Sequence, residues 1–525
     1  MTNPLFKFLS KNYDKIALVL ILIIASFYRL YNIENYMTFL GDEGRDVLIV
    51  YKILHGTFTL LGPTASVGGF FLGPIYYYFM APFLWLFNYN PVGPAIMVAL
   101  IGIATVWLIF KVGKEFFGSS VGLIAAGLYA ISPLVVTYSR SSWNPNPMPF
   151  FSLLTLYVIY RALKINSSKL FILSGFLFGI AMQLHYLTVF LGVIIFAYIL
   201  LYQSTYLRSN YLQNIIKKYL YIFIGFLIGW SPFLAFEFRH GFRNTINIFN
   251  FIFTSQAKSG KLTPLETIYD VFFRIFGRLV TNFPAPEKLH LWEKINLDYW
   301  HFGTLLFGLA CAGFLIYKCF KEYKLHSSNF ANYSLLLLWL VLGVGLFGLY
   351  RKSIYDYYLG FMFPMPFLIV GILLKGIWVN KIGKILSIIV LIVLLWLNNL
   401  TPPYKDPANG QLRQMETISK FVIGQIGDKP YNFALITGGN SDHAYRYFFT
   451  VWGKEPTVIE NPVIDPKRKT VMDQLLVVCE TVPNCNPLGN SLWEIAGFGR
   501  AEVVGEWSYS VVKIFKLKHY VAQQP

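Results

Sequence analysis

Long apolar runs alternate with short polar breaks along most of this chain. Runs of about 17–21 residues are long enough to cross a hydrocarbon core as helices. The expected spans cover roughly 14–33, 92–112, 119–138, 148–163, 170–186, 187–204, 218–238, 300–318, 331–350, 357–375 and 383–400. Residues 43–55 (EGRDVLIVYKILH) read differently. Val47, Val50, Tyr51 and Leu54 fall at helical spacing, which predicts an amphipathic helix in the membrane interface. The run from Gly73 to Phe87 has about 15 residues with Pro82 in its middle, short for a span. After residue 400 the pattern becomes that of a water-facing domain. Asn432–Ile436 and Leu475–Val478 read as buried strands, Ala444–Trp452 and Leu492–Ala496 as short helices, and Val503–Leu517 as a closing hairpin. The expected division is a transmembrane domain over 1–400 and a small α/β domain over 401–525.

Charge decides the topology. If the Gly73–Phe87 run crossed the membrane, Lys111, Lys114, Lys164, Lys169, Arg208, Lys217, Lys218, Lys318, Lys321, Lys324, Lys375, Lys381 and Lys384 would all lie outside. If it is partly embedded, every one of them is cytoplasmic, as the positive-inside rule asks. That choice gives eleven spans plus one embedded helix, in a polytopic α-helical protein of the cell membrane. Lys7, Lys11 and Lys15 precede the first span and no small-x-small cleavage site follows it, so the span is expected to remain and the N-terminus to be cytoplasmic. Residues 401–525 then lie on the extracytoplasmic side.

Composition agrees. Of 525 residues, 55% are hydrophobic and 13% charged, with mean hydropathy +0.52; a soluble chain carries about 25% charged residues. The net charge of +18 sits in clusters between apolar runs, which suits an anionic inner leaflet and not nucleic acid. Of the four cysteines, Cys311 and Cys319 lie in or beside an apolar run. Cys479 and Cys485 can pair if their domain faces an oxidising space. The cysteines form no metal pattern, and Thr437-Gly438-Gly439-Asn440 is a lone glycine turn, not a phosphate loop.

The polar groups expected at one membrane level carry the chemistry. They are Asp42, Glu43, Arg45 and Asp46; Arg140, Trp143, Asn144 and Asn146; His185; Glu237, Arg239 and His240; and Tyr350, Arg351, Lys352 and Asp356. Carboxylates beside cations suit attack by a neutral hydroxyl on a sugar that leaves a lipid phosphate. The hydroxyl needs a base, and the departing phosphate needs positive charge. The aromatic run Tyr76–Trp85 suits an isoprenoid chain or a sugar face.

Four segments in order carry a family resemblance: Asp42-Glu43 after the first span, Gly73-Pro74-Ile75-Tyr76-Tyr77-Tyr78, the segment KVGKEFFG at 111–118, and SPLVVTYSR at 132–140. The chain resembles the GT-C glycosyltransferases of the dolichyl-phosphate-mannose protein mannosyltransferase and aminoarabinose transferase superfamily. The likeness is good over roughly 14–240 and architectural elsewhere. It implies an inverting hexosyl- or pentosyltransferase that moves a sugar from a polyprenyl-phosphate donor to a hydroxyl of a protein, lipid or glycan acceptor. It makes Asp42 the base, and a short aspartate beside a span end is held more tightly than Glu43. Glu43, Arg45, Arg140, Asn144, His185, Glu237, Arg239, His240, Tyr350, Arg351 and Lys352 are the expected substrate contacts. Two departures stand out. Family members often place His or Lys before the embedded helix, where this chain has Phe71-Leu72-Gly73-Pro74. They often place Asp after the loop arginine, where it has Asn144 and Asn146. Amides bind hard cations more weakly than carboxylates, so no metal or other cofactor is expected.

Two other classes compete. A transporter or flippase of lipid-linked glycans would show mid-span charges and duplicated halves; here the charges gather at one face and no duplication is visible. A membrane scaffold would leave the Asp-Glu loop incidental. The C-terminal domain is expected to hold the acceptor and to carry no catalytic group.

Overall fold

Two helices show how sequence dictates packing here. Ser168–Leu184 and Tyr211–Gly229 both carry glycines four residues apart, Gly175/Gly179 and Gly225/Gly229. A Cβ on Gly175 would run into the Ile222 carbonyl, and one on Gly225 into the Ile172 carbonyl. The glycines therefore let the two backbones touch, the small-residue crossing typical of apolar helices in lipid. In this computed structural model, residues 4–65, 69–206, 211–253, 262–292, 296–481, 483 and 485–521 are described.

Six of the described helices are long and apolar enough to cross a membrane: Val92–Phe117, Met148–Ile165, Tyr186–Tyr206, Leu297–Lys324, Phe330–Leu349 and Lys381–Asn398. Two bent pairs raise the number to eight. Gln213–Gly229 meets Ser231–His240 at 70°, and Asp356–Met362 meets Pro364–Ile377 at 58°. Each bend falls at a proline, Pro232 or Pro364, in the first turn of its second helix, where the ring has no N–H to donate. The other three expected spans rest on weaker helices. Ser119–Ile131 and Ser168–Leu184 are short, and Pro4–Leu30 carries Lys7, Lys11, Asp14, Lys15 and Arg29. Ile75–Leu86, with Pro82 inside, has 12 residues; at about 1.5 Å per residue it is far shorter than a hydrocarbon core of about 30 Å.

The chain's contacts gather into two compact units. The first is Met1–Tyr31, Thr59–Tyr76 and Ile96–Pro407; the second is Asn32–Phe58, Tyr77–Ala95 and Ala408–Pro525. The acidic segment thus packs with the C-terminal residues. In the first unit, basic groups meet acids between helices: Lys114 Nζ lies 2.5 Å from Asp14 Oδ2, and Arg161 Nη1 lies 3.0 Å from Glu115 Oε1. Arg29 is fully buried and donates to the Ala130 carbonyl at 2.9 Å.

The second unit holds a mixed sheet of β1 (Asn432–Ile436), β2 (Gln474–Cys479), β3 (Ala501–Tyr509) and β4 (Val512–His519), in the order β1-β2-β4-β3. β1 and β2 are parallel and the other pairs antiparallel. β2 is buried along its whole length, as expected of a central strand between two neighbours. The expected strands and short helices are present. A helix at Gln411–Ile426 was not foreseen, although Leu412, Met415, Ile418, Val422 and Ile426 recur at helical spacing on its buried side. Cys479 and Cys485 form a disulfide.

Candidate active site

In the second unit, the Gly41–Leu54 helix buries Val47, Leu48, Val50 and Ile53. A Cβ on Gly44 would run into the backbone of Ala444, so the acidic helix lies directly against helix His443–Val451. The helix start has no side-chain cap of its own at Leu40. Instead, the Leu40 N–H donates to Glu43 Oε2 at 3.1 Å, and the Gly41 N–H donates to Asn440 Oδ1 at 2.8 Å.

The three carboxylates of this helix have different environments. The Asp42 side chain is 59% exposed and the Asp46 side chain 0%, whereas Glu43 is 7% exposed. Asp42 is therefore the one of the three that presents a carboxylate outward. Arg45 joins the other two levels. Its Nη1 donates to Asp42 Oδ1 at 2.9 Å, and its Nε and Nη2 donate to Asp46 Oδ1 at 3.0 and 2.8 Å. The Tyr77 hydroxyl also donates to Asp46 Oδ1, at 3.2 Å. Burial pushes Glu43 up to about 7, against the Leu40 N–H that favours its ionised form. Burial likewise pushes Asp46 up to about 6, with the Arg45 guanidinium opposing it. His443 bonds Ser441 Oγ through Nδ1 at 2.8 Å. Burial lowers its affinity for a proton, Asp442 and Asp42 raise it, and Arg45 and Arg446 lower it.

In the first unit, several expected contacts converge on an aromatic cluster. His185 stacks on Tyr186 with centroids 4.7 Å apart, and the Tyr186 and Tyr350 hydroxyls are 2.9 Å apart. Lys352 Nζ sits 3.3 Å from the centroid of Phe251, which packs edge-on against Tyr186. Asn144 Nδ2 donates to the Leu184 carbonyl beside His185 at 2.7 Å, and Arg140 Nη2 to the Tyr31 carbonyl at 2.8 Å. Glu237 is buried and accepts from the Thr245 N–H at 2.7 Å. Arg239, His240 and Arg351 are exposed, with His240 bonded to the Phe236 carbonyl. The segment without a cation, Phe71–Gly73, is held by amides. Asn244 makes two bonds to the Phe71 backbone, and Gln183 accepts from the Ile75 N–H at 3.1 Å.

Sequence reasoning missed a second polar cluster in this unit. Asp356 accepts from Arg278 Nε and Nη2 at 3.0 and 2.8 Å and from Arg274 Nη1 at 3.2 Å, while Arg274 also pairs with Asp270. These residues line a cleft of 510 Å³ with aromatic walls that include Tyr138, Trp143, Phe283 and Tyr357. Paired guanidiniums and carboxylates between ring faces can hold a polar ring by forked hydrogen bonds and stacking. The available signal was the spacing of Asp270, Arg274 and Arg278, four residues apart along one helix face. Among the described residues, no group of three or more His, Cys, Asp or Glu side chains is placed to hold a metal ion.

Residues 72–236 match the family described as dolichyl-phosphate-mannose-protein mannosyltransferase. Among solved structures, the chain is similar to ArnT from Cupriavidus metallidurans bound to undecaprenyl phosphate, with a TM-score of 0.59 at 10% identity over 96% of this chain and 98% of that one. It is also similar to the archaeal oligosaccharyltransferase AglB from Archaeoglobus fulgidus, in complex with an inhibitory peptide and a dolichol-phosphate. There the TM-score is 0.54 at 13% identity, over 89% of this chain and 70% of that one. A search of curated protein sequences returns no match. At such identities the structural likeness speaks for the fold, and the family match speaks for one segment. Residues 72–236 thus carry the dolichyl-phosphate-mannose-protein mannosyltransferase signature, within a polytopic helical membrane protein that has the ArnT fold.

Proposed function

We propose that this chain is an inverting glycosyltransferase that moves a sugar from a polyprenyl-phosphate donor to an acceptor hydroxyl on the extracytoplasmic side of the membrane. The observation that carries the reading is the exposed Asp42 carboxylate, fixed by Arg45 at the start of a buried helix, in a chain whose 72–236 segment matches a lipid-phosphate-sugar family. Asp42 takes the proton of the attacking hydroxyl as the new bond forms. Arg140, Arg351 and Lys352 are the cations offered to the leaving lipid phosphate, with Arg239 and His240 as further candidates. Asn144, His185, Glu237 and Tyr350 shape their surroundings, and the cleft of Arg274, Arg278 and Asp356 suits a sugar ring. The Cys479–Cys485 disulfide supports an oxidising compartment for the C-terminal residues. ArnT bound to undecaprenyl phosphate and AglB bound to dolichol-phosphate support a polyprenyl phosphate as the donor's carrier.

The test incubates membranes containing this protein with radiolabelled mannose, glucose and aminoarabinose on undecaprenyl and dolichyl phosphate, and follows where label goes. Transfer from one donor, absent with Asp42→Asn, is expected. Absence of transfer from all of them would contradict the proposal.

A further inference from the structure

The turn Thr437–Ser441 lies about 400 residues from Asp42 in the chain, yet it closes the start of the Asp42 helix. Asn440 Oδ1 accepts from the Gly41 N–H at 2.8 Å and from the Ser441 N–H at 2.9 Å. The first amides of a helix have no partner within it, and a side-chain oxygen normally supplied by the preceding residue satisfies one. Leu40 has no such oxygen, so the cap comes from the C-terminal domain.

The cap is itself held on its other side. Asn440 Nδ2 donates to the Glu480 carboxylate at 3.4 Å, and Glu480 also accepts from the Thr437 hydroxyl at 2.7 Å and the Tyr445 hydroxyl at 2.9 Å. These bonds fix which edge of the Asn440 amide faces Gly41. There is no room for the helix start to slide, because a Cβ on Gly41 would run into Ser441 and one on Gly44 into Ala444. Asp42 is thereby held between two glycines that both touch the C-terminal domain.

We infer that Asn440, oriented by Glu480, is a positioning residue for the reaction: it fixes the Gly41 amide and, through it, the direction of the Asp42 carboxylate. This rests on Asp42 being the base proposed above. The C-terminal domain then acts on the chemical step as well as on any acceptor it holds.

A displacement of about 1 Å in a reacting group can cost about 10²-fold in rate. Asn440→Ala is therefore expected to lower kcat by about 10–100-fold. A merely structural role would do so equally in any background, so the test is a double-mutant cycle with Asp42→Asn in the full-length protein, using whichever undecaprenyl-phosphate sugar of the panel supports transfer. If Asn440 acts through Asp42, Asn440→Ala adds less than about twofold once Asp42 is already Asn. The paired exchange Asn440→Asp with Glu480→Gln, which reverses the hydrogen bond and keeps an acceptor for Gly41, should recover most of the rate. If the alanine variant does not accumulate as folded protein, Asn440→Ser, with a shorter acceptor, replaces it in the same cycle. Equal losses in both backgrounds, or an Asn440→Ala enzyme with normal kcat, overturn the inference and leave the proposed function standing. A wild-type protein that transfers from no donor, or an Asp42→Asn enzyme with normal turnover, overturns both.

Discussion

Replacing Glu43 by Gln tests whether the helix that carries Asp42 really buries an acid. Glu43 is pushed by burial up to about 7 from an ordinary value of 4.5. An acid whose value rises on folding binds its proton more tightly in the folded state. Its contribution to stability is complete below 4.5 and is lost as pH rises through about 7. At about 1.4 kcal/mol for each tenfold change in proton affinity, the rise from 4.5 to about 7 costs the folded helix about 3 kcal/mol at about pH 8. At about pH 5.5 the cost is only about 1 kcal/mol, because the solvated acid is already ionised and the buried one is not. Glu43 alone should therefore take about 2 kcal/mol from the helix's opening free energy between about pH 5.5 and 8, in addition to the smaller share of Asp46. Amide exchange across Gly41–Leu54, corrected for intrinsic rates, measures that opening locally. In Glu43→Gln most of the pH dependence should vanish, leaving under about 1 kcal/mol from Asp46. An unchanged slope in Glu43→Gln would refute the reasoning and show that Glu43 is not buried as an acid.

Three further outcomes are expected. Gly225→Leu places a side chain where the Ile172 carbonyl sits; it should cost about 1–3 kcal/mol or block assembly, read as a lower melting temperature in detergent. Arg278→Gln removes the forked partner of Asp356 and leaves Arg274 alone with it; a loss of about 1–3 kcal/mol in melting is expected, and an unchanged melt would show the pair to be solvated. The expectation of eleven spans with basic loops inside is tested by a cysteine at position 164, which should resist an impermeant thiol reagent added from outside.

Up to eight of the eleven expected spans were legible, because lipid-facing and core-facing positions are both apolar and hydropathy alone marks them. The bends were less so: Pro232 and Pro364 lie inside apolar runs that read as continuous. In the second unit, β1 followed from a short apolar run read as a buried strand, and the hairpin from the closing segment after residue 500. The parallel pairing of β1 with β2 and the packing of the acidic helix on His443–Val451 depend on partners far along the chain. Asn440 is the sharpest case. Its turn read as a lone glycine turn because the group it caps lies in a different part of the sequence. Glu43, by contrast, could have been placed. It precedes Val47 by four residues and Val50 by seven, so the period that buries those valines buries it too. The Arg274–Asp356–Arg278 cluster was half visible: the expected polar level includes Asp356 but neither of its arginines, which lie about 80 residues away in the chain.

The most direct measurement of the central claim is single-turnover sugar transfer by Asp42→Asn beside Glu43→Gln, with donor binding followed separately by native mass spectrometry with undecaprenyl phosphate. Asn keeps the size of Asp42 and accepts a hydrogen bond from Arg45, but it cannot take a proton. The account predicts that Asp42→Asn binds the lipid normally and loses about 10²–10⁴-fold in transfer rate, while Glu43→Gln stays within about tenfold of wild type. Near-normal transfer by Asp42→Asn, with the loss in Glu43→Gln instead, would contradict it.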